Sequence, residues 1–229
     1  MTTPLKIITK EEYLKANKKP NQEKIWDNIS KPWKRYRVQK IKSVENFLKN
    51  KKGKVIDLGC GTGRNMIEND KITYYGVDFS EGQLEQAKRH IKENHIKAKL
   101  IKSKANNLKE IKDNTFDYGL FIAALHCIET KDKRKKSLEE FFRVLKPNSR
   151  ALISVWNSDD KRFAKVNFHG DIYMSWYEQG IPYMRYYYLY EKEELLDLLK
   201  SVGFKIVNFH EEEYDDRFSK KNWIIEVQK

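Results

Sequence analysis

The sequence predicts an α/β fold in which a central, mostly parallel sheet of seven strands carries helices on both faces. One observation is the unit from Lys54 to Ser80, where a short buried strand enters a glycine-rich turn and a second strand ends on an acid. A second observation is the alternation of short apolar segments with amphipathic helical segments along the rest of the chain. Alternating strands and helices form a parallel sheet covered by helices, so we expect a Rossmann-like fold.

The unit around the glycine-rich turn has the following predicted elements. Residues 55–58 are typical of a buried strand, which enters the turn Gly59-Cys60-Gly61-Thr62-Gly63. We expect a helix over residues 64–69 and a second strand over residues 73–77 that ends at Asp78. Glycines allow a sharp turn and let a ligand lie against the main chain. A carboxylate after the second strand is placed to accept hydrogen bonds from a ribose diol.

The spacing of the glycines excludes two common phosphate sites. The dinucleotide pattern G-x-G-x-x-G requires a glycine where this chain has Met66, Thr62 or Arg64, depending on the glycine from which it is counted. No glycine-lysine pair followed by Ser or Thr is present for a P-loop. The remaining pattern is Asp-x-Gly-x-Gly-x-Gly, which begins at Asp57. The alternative is a glycine turn in another kind of α/β domain.

The other elements follow from apolar periodicity and capping residues. Ser80 is a good N-cap for a helix, and Gly203 is a good helix stop. We expect further strands over residues 99–102, 115–122, 150–155, 204–209 and 223–227, and helices over residues 34–50, 81–93, 131–145 and 191–202.

Composition favours a polyanionic partner and a reducing compartment. Lys and Arg number 46 against 33 Asp and Glu, which gives a net charge of +13. Such a charge favours nucleic acid, and a lysine-rich surface without that role is the alternative. The two cysteines lack metal-ligand spacing, and neither a long apolar run nor a signal peptide is present. We therefore expect no metal site, no membrane association and a soluble, cytoplasmic protein.

The domain organisation predicted is a single domain over residues 23–229 preceded by a flexible, basic arm over residues 1–22. Residues 156–190 are rich in aromatic side chains with interleaved cations, including Lys165, and have poor periodicity. We interpret them as an irregular insertion after the fifth strand that lies over the strand ends and is not a sheet element. Aromatic rings beside cations suit unstacked bases, whereas a cap that covers the ligand is the alternative.

Two further segments are candidates for substrate contact. Lys34, Arg35 and Arg37 lie at the start of a predicted helix next to Trp26 and Trp33, which suits either a substrate lip or a solvated helix face.

The turn after the strand at 115–122 contains Ala123, Ala124 and His126 at the edge of the sheet where parallel α/β folds bind ligands. The two alanines permit close approach, and His126 contacts substrate or caps the turn. Cys127 has no local group that would activate it.

Several separated motifs together resemble a known family. The glycine pattern with Asp78 resembles motif I and the acidic partner of class I S-adenosylmethionine-dependent methyltransferases. From about Glu23 to the C terminus the chain is similar to the tRNA wobble-uridine carboxymethyl methyltransferases, which include the methyltransferase domain of the AlkB-type wobble-uridine enzyme. The segments that carry this resemblance are Pro32-Trp33, Ala124-Leu125-His126, Arg185-Tyr186-Tyr187-Tyr188-Leu189-Tyr190 and Asn222-Trp223-Ile224-Ile225. The chain departs from the family pattern at Lys34, Lys104 and Cys127.

The resemblance implies S-adenosyl-L-methionine as cofactor and methyl transfer to the carboxylate of a 5-carboxymethyluridine in tRNA. A carboxylate is already ionised at neutral pH, so a cation near the acceptor is more useful than a base. The candidate catalytic residues are Arg185 and Arg35 as cations and His126 and Tyr186 as positioning groups. The implied cofactor-binding residues are Asp57 for the amino group, Asp78 for the ribose, and Gly59, Cys60, Gly61, Gly63, Phe79, Ala105 and Ala123.

The resemblance also allows a partner, a small zinc-binding activator protein that adds a strand to the sheet edge. Two other functions remain open at this point. One is a methyltransferase for a small metabolite, and the other is a cofactor-binding subunit without catalysis.

Overall fold

The computed structural model describes residues 6–37, 39–164, 169–213 and 221–229. Val38, residues 165–168, which include Lys165, and residues 214–220 therefore lie outside the description. Within the described ranges, no helix is both long enough and apolar enough to cross a bilayer. In chain order the elements are β1 (Ile7–Thr9), α1 (Lys10–Ala16), α2 (Gln22–Tyr36), α3 (Lys42–Leu48), β2 (Gly53–Leu58), β3 (Ile72–Asp78), α4 (Glu81–Glu93), β4 (Ala98–Lys102), β5 (Phe116–Ile122), α5 (Lys131–Val144), β6 (Leu145–Trp156), β7 (Gly170–Glu178), β8 (Ile181–Leu189), α6 (Lys192–Val202), β9 (Lys205–Glu213) and β10 (Lys221–Gln228).

The main sheet has seven strands, the number that the sequence predicts, and their order is β4-β3-β2-β5-β6-β10-β9. Strand β10 runs antiparallel to both of its neighbours, and the other neighbouring pairs are parallel. Helices cover both faces. Ile56 of β2 packs in a cluster with Leu138 of α5 and Leu195 of α6. Val55, on the opposite face, packs with Leu48 of α3 and Leu84 of α4.

The helix expected over residues 64–69 does not form, and the chain makes turns there instead. Helix α4 packs directly against this segment. The ring of His90 hydrogen-bonds the Met66 carbonyl oxygen at 3.0 Å, and a Cβ on Gly63 would lie 3.3 Å from Ala87. A helix of six residues gains little from its own hydrogen bonds. Tertiary contacts with α4 therefore fix the backbone of this segment.

The helix expected over residues 34–50 is also wrong. Helix α2 continues through Pro32 to Tyr36 and ends where the Arg37 amide donates to the Trp33 and Lys34 carbonyl oxygens. A separate helix, α3, follows. The two helices pack on different parts of the protein. Trp33 of α2 packs in a cluster with residues of β7 and β8, whereas the residues of α3 pack on the main sheet.

The insertion at residues 156–190 contains regular structure, contrary to our expectation. Strands β7 and β8 form an antiparallel hairpin that joins β1 in a three-stranded sheet. Ile172 and Tyr187 pack on one side with α2, whereas Tyr173 and Tyr186 pack on the other side near Tyr13 of α1. Because both faces are covered, apolar residues occupy successive positions and the two-residue alternation of a half-exposed strand is lost.

Three residues of the expected flexible arm, Ile7–Thr9, form a strand of this second sheet, and a helix follows them directly. Ile7 of β1 lies opposite Met174 of β7. Thr9 then caps α1 in a capping box with Glu12. Residues 1–5 lie outside the description. Backbone pairing with a distant hairpin has no signal in the local sequence, which explains why the pattern of charges and prolines alone was misleading.

Candidate active site

A cavity of about 520 Å³ opens at the carboxyl ends of the parallel strands. Its walls come from the glycine-rich turn after β2, the end of β3, the loop after β4 and the turn after β5. Helix α2 and residues 19–21 before it close the opposite side. This is the edge at which parallel α/β sheets bind ligands, and the volume suits a small-molecule ligand.

The glycine-rich turn is held by main-chain hydrogen bonds to the end of β3 and packs against the turn after β5. The Gly59 and Cys60 amides donate to the Val77 carbonyl oxygen at 2.8 and 3.0 Å. Gly59 has a φ of +72°, and a Cβ there would lie only 2.4 Å from the Cβ of Ala124. Only glycine fits at this position. The close packing leaves the backbone of Gly61 facing the cavity.

Asp78 lies in the cavity wall at the end of β3. Its carboxylate accepts hydrogen bonds from the Gly61 amide at 2.8 Å and the Ser80 amide at 3.0 Å. Burial raises its pKa to about 6 in spite of these bonds. The carboxylate is thus fixed beside the turn, with acceptor capacity left for a ligand hydroxyl.

Asp57 lies on β2 just before the turn and does not itself line the cavity. Its side chain is buried, and neither carboxylate oxygen has a donor in good hydrogen-bonding geometry among the described residues, although Asn65 and Arg64 lie near enough to oppose the rise of its pKa. Burial, and secondarily the charge of Asp78, raises its pKa to about 7. A buried acid without partners is costly unless a cation or donor neutralises it. An ammonium group held at the glycine turn, next to the end of this strand, would offset the cost by charge attraction, so these residues fit an S-adenosylmethionine molecule.

Of the nine residues expected to bind cofactor, seven line the cavity. Asp57 and Gly63 do not, since Gly63 packs against α4. Ala123, at the end of β5, adopts a φ of +51° and donates its amide to the Ser154 carbonyl oxygen at 3.0 Å. Backbone in this region is strained for a residue other than glycine and is often found at functional sites. The seven residues are Gly59, Cys60, Gly61, Asp78, Phe79, Ala105 and Ala123.

Gln83 of α4 also lines the cavity and was missed by the sequence analysis. Its Nε2 donates to the Trp26 carbonyl oxygen at 3.2 Å, and its buried Oε1 has no hydrogen-bond partner. A Cβ on Gly61 would lie 3.6 Å from that oxygen. Gln83 therefore presents a second acceptor near Asp78, and only the packing of α4 reveals it.

The position of α2 over the cavity depends on Asp27. Its carboxylate accepts from the Ser80 hydroxyl at 2.6 Å and from the Gly82 amide at 2.9 Å, at the start of α4. An acid at a helix N-terminus is favoured by the helix dipole. This contact places Trp26 and Trp33 in the cavity wall.

Of the two arginines at the end of α2, Arg37 lines the cavity and the predicted Arg35 does not; the other cations in the wall are Lys19, Arg64, Lys104 and Lys133. Arg35 is exposed, whereas Arg37 is buried with its guanidinium 4.9 Å from the centre of the Trp33 ring. The two residues are adjacent to the same helix end, so a sequence pattern of clustered cations could not choose between them. The orientation of α2 determines which of the two arginines reaches the cavity.

His126 does not face the cavity. It is buried with its ring 4.8 Å from Trp156 and 5.6 Å from Tyr187, centre to centre. Burial, together with the charges of Arg37 and Arg162, lowers its pKa to about 3. His126 is therefore a neutral core residue outside the cavity wall, so this structure does not support the alternative in which it contacts substrate. Its neighbour Cys127 lines the cavity, but burial raises the thiol pKa to about 12.

Arg185 is also outside the cavity wall. Its guanidinium is buried behind the tryptophans, 5.2 Å from the ring centre of Trp33 and 6.0 Å from that of Trp26. Nη2 donates to the Ser175 carbonyl oxygen at 3.4 Å, and burial lowers the pKa of Arg185. The contacts make it a support for the aromatic wall through cation–π attraction. In this arrangement it does not contact an acceptor in the cavity.

Tyr186 lies on the opposite face of β8. Its hydroxyl donates to Asp171 and accepts from Arg134 at 3.0 Å. The same Arg134 donates to the Ile128 carbonyl oxygen at 3.2 Å. Tyr186 thus joins the second sheet to α5 and does not line the cavity. The sequence motif identified the correct strand, but the alternation of side chains along that strand sends Tyr186 away from the site.

The fold and the site define a class I methyltransferase, with its glycine turn, the acid after the second strand and an antiparallel strand, β10, next to the edge strand of the sheet. The family described as methyltransferase domain matches residues 49–203, and the chain belongs to this family. The enzyme is an S-adenosylmethionine-dependent methyltransferase.

Three known proteins illustrate the similarity. A tRNA (carboxymethyluridine(34)-5-O)-methyltransferase of Schizosaccharomyces pombe is 27% identical over 90% of this chain and 94% of its own length. The Saccharomyces cerevisiae protein of the same name is 28% identical over 67% of this chain and 55% of its own length. A methyltransferase structure from Methanosarcina mazei superposes with a TM-score of 0.69 at 18% identity, covering 83% of this chain and 99% of that one, which supports the fold.

Proposed function

We propose that this enzyme methylates the carboxylate of a 5-carboxymethyluridine at the wobble position of tRNA. The observation that carries the proposal is the buried guanidinium of Arg37 in a cavity wall that also contains Trp26 and Trp33. The two yeast relatives support it, since their names state this reaction. The net charge of +13 suits a nucleic-acid substrate.

A carboxylate acceptor matches the ionisable groups around the cavity. It is ionised at neutral pH and needs no base before it attacks a methyl group. The described residues that line the cavity include no histidine, and the nearby His126 stays neutral. Arg37 would hold the acceptor, and the tryptophan rings would offer apolar surface to the base. Alignment and the exclusion of water would then supply the rate enhancement.

The cofactor would lie along the glycine-rich turn. Asp57 would neutralise its amino group, and Asp78 with Gln83 would accept hydrogen bonds from its ribose. Phe79 and the main chain around Ala105 would contact the adenine. When bound, S-adenosylmethionine supplies a sulfonium-activated methyl group. The residues of this chain bind, orient and shield it.

A partner protein that activates the enzyme is part of the same proposal. An activator that adds a strand would require a free sheet edge, and β4 and β9 are the edge strands of the described main sheet. A pull-down with the purified chain would test that partner. If the activator is obligatory, the purified enzyme without it should not methylate tRNA.

A small-molecule acceptor is the second candidate, and Glu129 favours it. Glu129 lines the cavity, and its buried Oε1 has no hydrogen-bond partner. Its Oε2 lies 2.8 Å from the Lys19 ammonium. A carboxylate in this place could accept a proton from an amine or hydroxyl acceptor. A metabolite enzyme would transfer methyl groups without tRNA and without marked sensitivity to salt.

The test of the proposed function uses anticodon stem-loop RNA with 5-carboxymethyluridine and S-adenosylmethionine labelled in the methyl group. A methyl ester should form, and mild alkali should release the label as methanol. The same RNA with the amide in place of the acid should accept no label. Label that withstands alkali, or equal transfer to the amide, would contradict carboxylate methylation.

Arg37→Met should lower turnover on the acid RNA by about 10- to 100-fold, since a hydrogen bond to a charged group is worth about 1.5–3 kcal/mol. Binding of S-adenosylmethionine, measured by calorimetry, should change little. Arg35→Met is the matched control, and it should leave turnover at saturating RNA within about twofold. Equal losses in the two variants would remove the special role of Arg37.

A further inference from the structure

A continuous array of aromatic rings leads from the cavity to the protein surface. Trp26 and Trp33, in the cavity wall, have ring centres 5.0 Å apart. Trp33 contacts Trp176 at 5.4 Å, and Trp176 contacts Tyr36 at 5.6 Å. The first three rings are buried, and Tyr36 is 51% exposed. An aromatic path thus connects the acceptor cavity to an exposed ring.

Tyr36 is one of only three large apolar side chains exposed in the described part of the chain. It lies in the last turn of α2, the helix that Asp27 fixes against α4. Its contact with Trp176 is edge to face, and half of the side chain stays accessible to solvent with all of its contacts in place. A rigid helix therefore presents an aromatic surface to solvent beside the cavity.

Three cations lie at the same end of the helix as this ring. Lys34, Arg35 and Arg37 occupy the same end of α2. Lys34 pairs with Glu93 at 3.3 Å, whereas Arg35 is exposed and forms no ion pair with any described residue. An exposed ring next to an available guanidinium is the combination that single-stranded nucleic acids use, with a base on the ring and a phosphate on the cation. An apolar protein partner would have no need for the cations.

We propose that Tyr36 stacks the nucleobase next to the methylated uridine, and that Arg35 contacts the phosphate of that nucleotide. This inference rests on the proposed function, because it requires an unpaired RNA segment whose neighbouring nucleotide enters the cavity. The site takes an unstacked base of any sequence, since every base has a π-face. It holds the RNA loop open so that the acceptor nucleotide reaches Arg37.

The experiment measures the binding of anticodon stem-loop RNA by fluorescence anisotropy, using the full chain, in wild type, Tyr36→Ala and Tyr36→Phe. Stacking of a base on an aromatic ring predicts a loss of affinity of about 10-fold or more in Tyr36→Ala. Tyr36→Phe should stay within about twofold. Thermal melts should agree among the three proteins, because the side chain is half exposed.

Two further RNAs make the assignment specific. Each carries an abasic residue, placed on the 5′ side of the acceptor uridine in one RNA and on the 3′ side in the other. With one of these RNAs the wild type and Tyr36→Ala should bind equally, because the partner base is already missing. A tenfold difference that persists with both RNAs, or no difference with the intact RNA, would overturn the inference.

The variant Arg35→Gln tests the phosphate contact independently. It should reduce the slope of log affinity against log salt by about one, as expected for a single phosphate contact. An unchanged slope would overturn the role of Arg35. Binding is scored without methyl transfer, so a chain that shows these effects but forms no ester would contradict the proposed function alone. A chain that forms the ester while Tyr36→Ala binds normally would contradict this inference alone.

Discussion

The substitution Asp57→Asn tests whether the buried carboxylate below the glycine turn serves a ligand and not folding. Burial and the charge of Asp78 raise its pKa from an ordinary 3.8 to about 7. In the unfolded chain the group loses its proton near pH 4, whereas the folded chain keeps the proton up to about pH 7. The unfolded chain therefore binds fewer protons between these values, and the stability of the ligand-free protein falls as the pH rises through this range.

The magnitude follows from the two pKa values. Since one pKa unit corresponds to about 1.4 kcal/mol, the buried carboxyl costs about 4 kcal/mol of folding free energy at pH 8 and less than half of that at pH 5. Asparagine cannot ionise, so Asp57→Asn should be more stable than the wild type at pH 8 by an amount that shrinks toward pH 5. The same variant should lose affinity for S-adenosylmethionine, because the cationic amino group loses its partner.

The assay is urea unfolding of the ligand-free proteins at pH 5 and pH 8, with calorimetric titration of S-adenosylmethionine at pH 8. Asp70→Asn is the control, because Asp70 is exposed in the loop before β3 and should alter neither quantity. A stability difference between wild type and Asp57→Asn that is the same at both pH values would refute the reasoning. Unchanged cofactor affinity in the variant would refute the ligand role.

Two shorter predictions concern the turn and the second sheet. Gly59→Ala should lower the melting temperature and weaken cofactor binding far more than Gly180→Ala, because both glycines have positive φ but only the first would meet Ala124. Equal effects on melting would show that backbone strain, and not contact, is responsible. Tyr186→Phe should cost about 1 kcal/mol of stability by removing the hydrogen bond from Arg134, with turnover within about twofold of wild type. A tenfold loss of turnover at unchanged stability would restore a catalytic role for Tyr186.

The local sequence was sufficient to predict the main sheet and the cofactor turn. The run from Lys54 to Ser80 specifies a buried strand, a turn that requires positive φ, and an acid after the next strand. Each of these features depends on residues that are close in the chain. Ser80 and Gly203 marked helix ends in the same way, through local hydrogen bonds and backbone conformation. These parts of the fold were predicted because their physical causes are local.

Only the tertiary structure decided which side chains meet at the acceptor side. The contact of Asp27 with α4 orients α2, and that orientation brings Arg37 into the cavity while Arg35 stays in solvent. The pairing of β8 with β7 buries Arg185 and turns Tyr186 to the opposite face. These outcomes depend on contacts between residues far apart in the chain. A pattern of aromatic and basic residues identifies the region, and packing alone selects the residue within it.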